Sequence, residues 1–423
     1  MFLFGGFFVA LFFIPKAFAE WKGYLRKKFQ AEKERTLLEI RIPREINKTP
    51  QAMELVLNAL LEQSNGDWYT DITTGKQRPF YSFEIASHGG SVHFYIWIEK
   101  DFKARVEAHF YAQYPEVELI EVKDYAIHYP FSWDTHKSFG FEYELIKPDP
   151  VPILTYKLAG FDRGGLKPEE QIDPITQTIE ALSNINSDEE MWMQIVCRTH
   201  LGTNQEDVAF IDRFFAFFKV ISLFGKLSDR VKNCGIVING KKTTNCSKEG
   251  LDLIKQIRSK YKADEGIREL SKNDKTLIEI VADNISKPAY DVGIRTLYIA
   301  PKESFDGNSR NHMMGSIFKQ YSTGEIYNGL KPGLIPTTNY PWQDKSGKKM
   351  RKLRDEMYKS YKRRKFMLES PKDFAYGNKM YKKFVLSTEE LATLFHLPGQ
   401  VAQTPTFERI DSVTGQAPAN LPI

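Results

Sequence analysis

FYSFEIASHGGSVHFYIWIE, residues 80–99, holds two runs of alternating aromatic and aliphatic residues, Phe80 to Ser87 and Val92 to Glu99. His88-Gly89-Gly90-Ser91 lies between them, so the stretch reads as a β-hairpin. Upstream, Leu37 to Pro43 (LLEIRIP) alternates like a strand, and Thr49-Pro50 opens a helix from Gln51 to Gln63 with proline in its first turn. Downstream, Asp101 is placed to cap a helix that runs to Tyr114 and stops at Pro115, and Val117 to Val122 follows as a strand. The predicted order is βαββαβ over 37–125, the ferredoxin-like arrangement.

The same order is predicted again over 150–330. Val151 to Leu158 reads as a strand, Pro174 to Ile185 as a helix and Met191 to Arg198 as a strand. Asp291 to Ala300 is then a strand and Phe305 to Tyr321 a helix. A helical insertion at about 200–287 splits this unit. The fold expected is therefore α+β, with two ferredoxin-like units, the second split, behind an N-terminal membrane helix. Residues 331–398 carry a basic helix and further elements. Residues 399–423 are rich in Pro, Gly and polar side chains and read as a linker.

Residues 1–19 are expected to anchor the chain in a membrane. Phe2 to Ile14 (FLFGGFFVALFFI) is an uncharged apolar run, shorter than the roughly 20 residues a bilayer span requires. Ala17-Phe18-Ala19 would suit a cleaved signal peptide, but no basic residue precedes the run. The charge follows it instead, at Lys22, Arg26, Lys27 and Lys28, which favours a retained single-pass anchor with the body on the cytoplasmic side. Residues 20–36 form a basic juxtamembrane segment. Val208 to Phe224, apolar almost all round, reads as a helix packed on the sheet or lying on the membrane surface.

Charge is unevenly placed. Lys345 to Lys365 holds eleven Lys or Arg against Asp355 and Glu356, a local +9, and Trp21 to Arg35 is at +4. With a net charge of +5, the remainder stands at −8. Within the first run Met350, Leu353, Met357 and Tyr361 recur at helical spacing, giving an amphipathic helix with a basic outer face. Lys348, Lys349, Arg351, Lys352, Arg354, Lys362, Arg363, Arg364 and Lys365 are the candidate polyanion-binding residues, for DNA phosphates or anionic lipid. A plain solvated face is the alternative.

Nothing in the sequence points to catalysis, a cofactor or a metal. Gly235 to Thr243 has G-x-x-x-x-G-K spacing, but Lys242 stands where a phosphate loop needs a magnesium-binding hydroxyl, and Asn239-Gly240 reads as a hairpin turn. Alternation counted along the chain puts His88 and His93 on opposite faces, so a shared metal is not expected. The three cysteines, Cys197, Cys234 and Cys246, are read as reduced thiols without zinc spacing.

LLEIRIPREINKTPQAMELVLNAL (37–60), PFYSFEIASHGGSVHFYIWI (79–98), QIDPITQTIEALSNINSDEEMWMQIV (171–196), KPAYDVGIRTLYIAP (287–301) and LSTEELATLFHLPG (386–399) with PANLPI (418–423) together carry a resemblance. They resemble the region preceding the P-loop ATPase in bacterial proteins related to type IV secretion and conjugative DNA-transfer ATPases. In fuller members of that family the Pro-rich linker leads into the ATPase domain. This sequence has no residues matching its ATP-binding or magnesium positions. The resemblance therefore implies a membrane-anchored, non-catalytic docking or scaffold subunit, working with a separate P-loop translocation ATPase as a homo-oligomer or part of a larger complex. A non-specific DNA-binding module that uses the 345–365 helix is the alternative.

Overall fold

A computed structural model describes residues 17, 20–43, 46, 48–62, 68–161, 173–201, 248–259, 271–322, 324–335, 341–365 and 383–399, together with the paired dipeptides 237–238, 241–242, 262–263, 266–267, 375–376 and 379–380. The first half runs α1 (20–32), β1 (Arg35–Arg41), α2 (Pro50–Ala59), α3 (Trp68–Thr74), β2 (Tyr81–His88), β3 (Ser91–Glu99), α4 (Lys103–Gln113) and β4 (Glu118–Val122). The second half runs α5 (Tyr125–His128), β5 (His136–Leu145), α6 (Thr176–Ser183), β6 (Glu190–Thr199), α7 (Lys248–Ser259) and α8 (Lys272–Ser286). It continues with β7 (Ala289–Pro301), α9 (Gly307–Ser316), β8 (Leu330–Leu334), α10 (Lys348–Lys362), β9 (Phe384–Ser387) and α11 (Thr388–Leu394).

The chain is α+β, and nine strands form one antiparallel sheet in the order β8-β5-β7-β6-β2-β3-β1-β4, with β9 alongside the start of β7. The first-half order β4-β1-β3-β2 recurs in the second as β8-β5-β7-β6. The two halves join where β2 pairs with β6, from Tyr81 opposite Cys197 to His88 opposite Glu190.

Gly89 and Gly90 make the β2–β3 turn possible, with φ of 58° and 94°, values that side chains resist. Gly89 also donates its N–H to the Glu189 carbonyl, and a Cβ there would stand 2.6 Å from the Ser187 oxygen. The hairpin of one half is thus seated on the loop that leads into the other. On the helix-covered face of the sheet, Phe83, Ile85, Phe94, Ile96, Met193, Ile195 and Ile294 share one core with Met53, Val56 and Leu57 of α2 and Leu391 and Leu394 of α11. Tyr81 and Tyr290, one from each half, donate to the α2 carbonyls of Leu60 and Leu57 at 3.1 and 2.7 Å. The Leu57 carbonyl also accepts the N–H of Leu60, the residue that caps the helix, and the two tyrosine hydroxyls add donors at this C-terminal end.

Two expectations are corrected. Val151–Leu158 is not a strand. Its place is taken by β5, where Phe139, Phe141 and Tyr143 face the core and Ser138, Gly140 and Glu142 face the other way. Pro148, Pro150 and Pro152 crowd the start of the expected strand and cannot donate to a ladder. The backbone of Ile153 and Tyr156 donates instead to Glu390 and Thr393 of α11. Asp101 does not cap α4. It sits in a 3-10 turn, and its carboxylate binds Lys33 at 2.8 Å.

The C-terminal elements return to the core. His396 donates from Nδ1 to the Ala392 carbonyl and meets Asp173 through Nε2 at 2.7 Å, both side chains being buried. Burial alone would raise the Asp173 carboxyl. The His396 imidazole and the N–H groups of Gly399 and Ile175 hold it below the usual range instead. Val237–Ile238 pairs antiparallel with Lys241–Lys242, and the turn expected at Asn239-Gly240 lies outside the described residues. Among the described residues no helix is long and apolar enough to cross a membrane. The apolar run Phe2–Ile14 and the helix expected at Val208–Phe224 lie outside them.

Replacing Gly89 with Val tests the seating of the hairpin. The left-handed φ and the close approach to Ser187 should together cost about 1–3 kcal/mol in urea unfolding, without a second transition. A variant as stable as the parent would show that the hairpin and the loop are not coupled.

Candidate functional site

α10 is built from strong helix formers, Lys, Arg, Met and Leu, between two local signals. At its start Gly347 is left-handed, and the Asp344 carboxylate accepts the Met350 N–H at 2.7 Å. At its end Arg364 adopts a positive φ of 46°. The helix crosses the sheet face opposite α2 and α6; Met357 is buried, and Tyr358 and Tyr361 join one cluster with Trp192, Tyr95, Leu297 and Ile299. Gly140 on β5 admits this approach, since a Cβ there would stand 2.7 Å from the Met357 sulfur.

The strongest interaction under α10 is ionic. Glu84, in mid-strand on β2, and Arg364 are both fully buried. Arg364 donates through Nε and Nη2 to the two Glu84 oxygens at 2.9 and 3.0 Å. Its remaining N–H groups reach both Asp124 oxygens and the Lys362 carbonyl. All five guanidinium donors are thereby used. Glu84 accepts further bonds from Ser82, Gln194 and Tyr125 at 2.6, 3.0 and 2.7 Å. Burial pushes the Glu84 carboxyl up, but Arg364 and these donors more than offset it and hold the group below its ordinary value. Tyr125 and Tyr361 hydroxyls lie 2.8 Å apart, and Gln194 donates to the Tyr361 carbonyl, so the network ties β2, β6, α5 and α10 together.

This placement sorts the nine basic residues singled out in the sequence. Lys348, Lys349, Arg351, Lys352 and Arg363 are exposed. Lys362 is half-buried with its ammonium 5.3 Å from the Tyr358 ring, and Lys365 is half-buried. Arg354 lies partly buried over Phe139, and burial lowers its pKa. Arg364 points into the protein, so its charge is committed to Glu84 and Asp124 and cannot meet a polyanion outside. Within the helix Asp355 holds Lys359 at 2.6 Å, and Glu356 stands 4.0 Å from Lys352. The outer face therefore keeps a run of cations from Lys348 to Lys352, which can engage closely spaced phosphates.

Beside this network lies a second pair of buried charges that sequence reasoning missed. Arg295 on β7 is 3.5 Å from Glu142, opposite it on β5, and donates to the Lys365 carbonyl at 3.0 Å. Among the described residues no hydrogen bond reaches either Glu142 oxygen. Burial therefore outweighs the guanidinium and pushes the carboxyl up to about 8.

The histidines require a correction. His88 and His93 lie on one face, with ring centres 5.6 Å apart, because a two-residue turn places His88 opposite Ser91 and Ala86 opposite His93. Each imidazole is held through Nδ1 by a glutamate, His88 by Glu190 at 2.5 Å and His93 by Glu39 at 2.9 Å. Among the described residues no group of three or more His, Cys, Asp or Glu is arranged to hold a metal. Cys197 is buried as a free thiol, and Cys234 and Cys246 lie outside the described residues.

Two outcomes are expected. Arg364→Ala leaves Glu84 buried without its counter-ion and should cost about 3–5 kcal/mol in denaturant unfolding. Arg351→Gln should stay within about 0.5 kcal/mol of the parent. Equal effects would mean that Arg364 is not held inside. Glu142 in the fold keeps a proton that the unfolded chain releases near pH 4. Its stabilising contribution is full below that pH and is lost as the pH rises through about 8. Glu142→Gln should therefore narrow the stability difference between pH 5 and pH 9, by roughly 4 kcal/mol. An unchanged difference in urea unfolding would contradict the raised value.

Among curated proteins none matches this chain. The family described as Domain of unknown function (DUF8128) matches residues 20–409, from the first turn of α1 to beyond α11, and with nearly the whole chain covered the protein belongs to that family.

Proposed function

We propose that the chain is a membrane-anchored, non-catalytic docking or scaffold subunit of a type IV secretion-like or conjugative DNA-transfer apparatus, working beside a separate P-loop ATPase. The observation that carries this reading is the two-sided character of α10. Its inner face is fixed by the Arg364–Glu84 network, and its outer face presents Lys348, Lys349, Arg351 and Lys352 to solvent. A rigid cationic ridge suits a subunit that holds a polyanionic cargo or an acidic partner in register. The resemblance of the segments at 37–60, 79–98 and 171–196 supports the same assignment, as does the apolar run at Phe2–Ile14 for single-pass anchoring at the cell membrane with a cytoplasmic body. We infer further that each half is a ferredoxin-like unit, from the shared strand order and the helices that connect the strands. Pairing of β2 with β6 leaves both units in one sheet, a stiff platform for a larger complex or a homo-oligomer.

The exposed ridge also favours a second reading, non-specific DNA binding through α10 alone. Salt separates the two. The tagged chain, purified from native membranes in high salt, should retain a subunit that is labelled by azido-ATP if it docks on an ATPase. DNA binding through the ridge should instead weaken steeply with salt, with a log–log slope of about −0.9 per neutralised phosphate on duplex DNA. Replacing Lys348, Lys349, Arg351 and Lys352 together with Gln should leave the unfolding midpoint unchanged and flatten that slope by roughly one unit for each phosphate left unneutralised. The docking reading fails if no nucleotide-labelled subunit remains at high salt. The DNA reading fails if the quadruple variant binds DNA with the parent slope.

A further inference from the structure

The network under α10 leaves α1 unexplained. This helix is not a free linker. Leu25 is buried, and a Cβ on Gly75, just past α3, would stand 2.4 Å from the Leu25 carbonyl carbon. Gln30 donates to Gln77 at 3.3 Å, and Lys33 reaches Asp101 at 2.8 Å. With that face turned inward, the stripe made by Trp21, Tyr24 and Lys28, spaced three and four residues apart, faces outward. Trp21 and Tyr24 are 54% and 58% exposed, with ring centres 5.9 Å apart. Tyr69 on α3, the element that leads into Gly75, is 62% exposed. Lys27 and Lys28 are exposed farther along α1. Glu20 and Glu32 are exposed as well, Glu32 standing 3.9 Å from Lys28, and the segment from Trp21 to Arg35 keeps its local +4.

We infer that this surface lies on an anionic lipid bilayer, with Trp21 and Tyr24 in the headgroup layer and Lys27 and Lys28 against lipid phosphates. α1 then acts as a strut that holds the body at the membrane. The chemistry is specific to an interface. Tyrosine and tryptophan rings combine an apolar body with a polar tip and collect at the boundary between lipid and water. Lysines just beyond them add attraction to a negatively charged leaflet. The order along the chain fits as well, since the apolar run Phe2–Ile14 precedes the aromatics and the lysines follow them. The inference rests on the anchor reading, which places the start of α1 at the bilayer, and it adds a docked orientation that an anchor alone does not require.

The test uses the full chain in nanodiscs of phosphatidylglycerol containing brominated lipid, with Trp21→Phe as the reference that isolates Trp21 among the six tryptophans. The Trp21 emission, taken as the difference, should be quenched by lipid brominated near the headgroup. Lys27→Gln with Lys28→Gln should reduce that quenching, and phosphatidylcholine nanodiscs should reduce it likewise. A chain held in the nanodisc with Trp21 unquenched overturns the docked orientation while leaving the anchor standing. Trp21 shielded from iodide but not reached by brominated lipid assigns the patch to a protein partner and also overturns the inference. If the nanodisc does not hold the chain, the anchor reading falls. Sedimentation with phosphatidylglycerol vesicles then decides, since binding abolished in Trp21→Ala with Tyr24→Ala sustains the inference and no binding overturns it.

Discussion

A carboxylate in the middle of a sheet strand has to be neutralised where it stands, and Glu84 is neutralised by Arg364, which lies 280 residues away along the chain. Removing two charges from water costs several kcal/mol per ion, and only close geometry with every remaining donor and acceptor satisfied recovers it. Here both conditions hold, with five donors on the guanidinium in use and five hydrogen bonds arriving at the carboxylate. The pair decides where the segment after β8 must go. Just past the end of α10, Arg364 is inserted beside β2, and the helix lies with α5 across the face opposite α2 and α6.

From that constraint follows the division of labour on α10. With Tyr361, Tyr358 and Met357 fixed inward, the helix has one rotational setting, and its lysines face outward because no other direction is left. Of the eleven basic residues in the run Arg364 is neutralised inside, and Asp355 and Glu356 relieve only part of the repulsion among the others. The fixed inner face supplies the rigidity that a binding ridge needs, and the outer face supplies the charge. Stability and the proposed function thus draw on opposite sides of one helix.

Much of this was legible in the sequence. The hairpin at 80–99 announced itself through Gly89-Gly90 between two alternating runs, and the order of elements around it followed from alternation and from the prolines at 50 and 115. Of the stripe Met350, Leu353, Met357, Tyr361, the last two are buried on the inner face of α10 together with Tyr358, and the first two are half-buried. What escaped had physical reasons. β5 alternates between aromatic and polar residues in HKSFGFEYEL, but the apolar run after it drew the strand assignment, because apolar content and a ladder look alike until the prolines are counted. His88 and His93 were misplaced because a two-residue turn resets the parity of alternation. Arg364 was indistinguishable from its basic neighbours, since nothing local says which cation of a run turns inward. The signal lay elsewhere, in Glu84 between Phe83 and Ile85, a charge in a strand interior that required a partner.

A double-variant cycle on Glu84→Gln and Arg364→Met, read by urea unfolding with hydrogen exchange over residues 348–362, isolates the interaction that holds α10 to the sheet. If the two charges depend on each other, the double variant is less destabilised than the sum of the singles. The coupling should then be at the upper end of the range for touching residues, about 2–3 kcal/mol, and each single variant should lose exchange protection along α10. Additive losses, with α10 protection intact in Arg364→Met, would show that the helix is held by its apolar stripe alone.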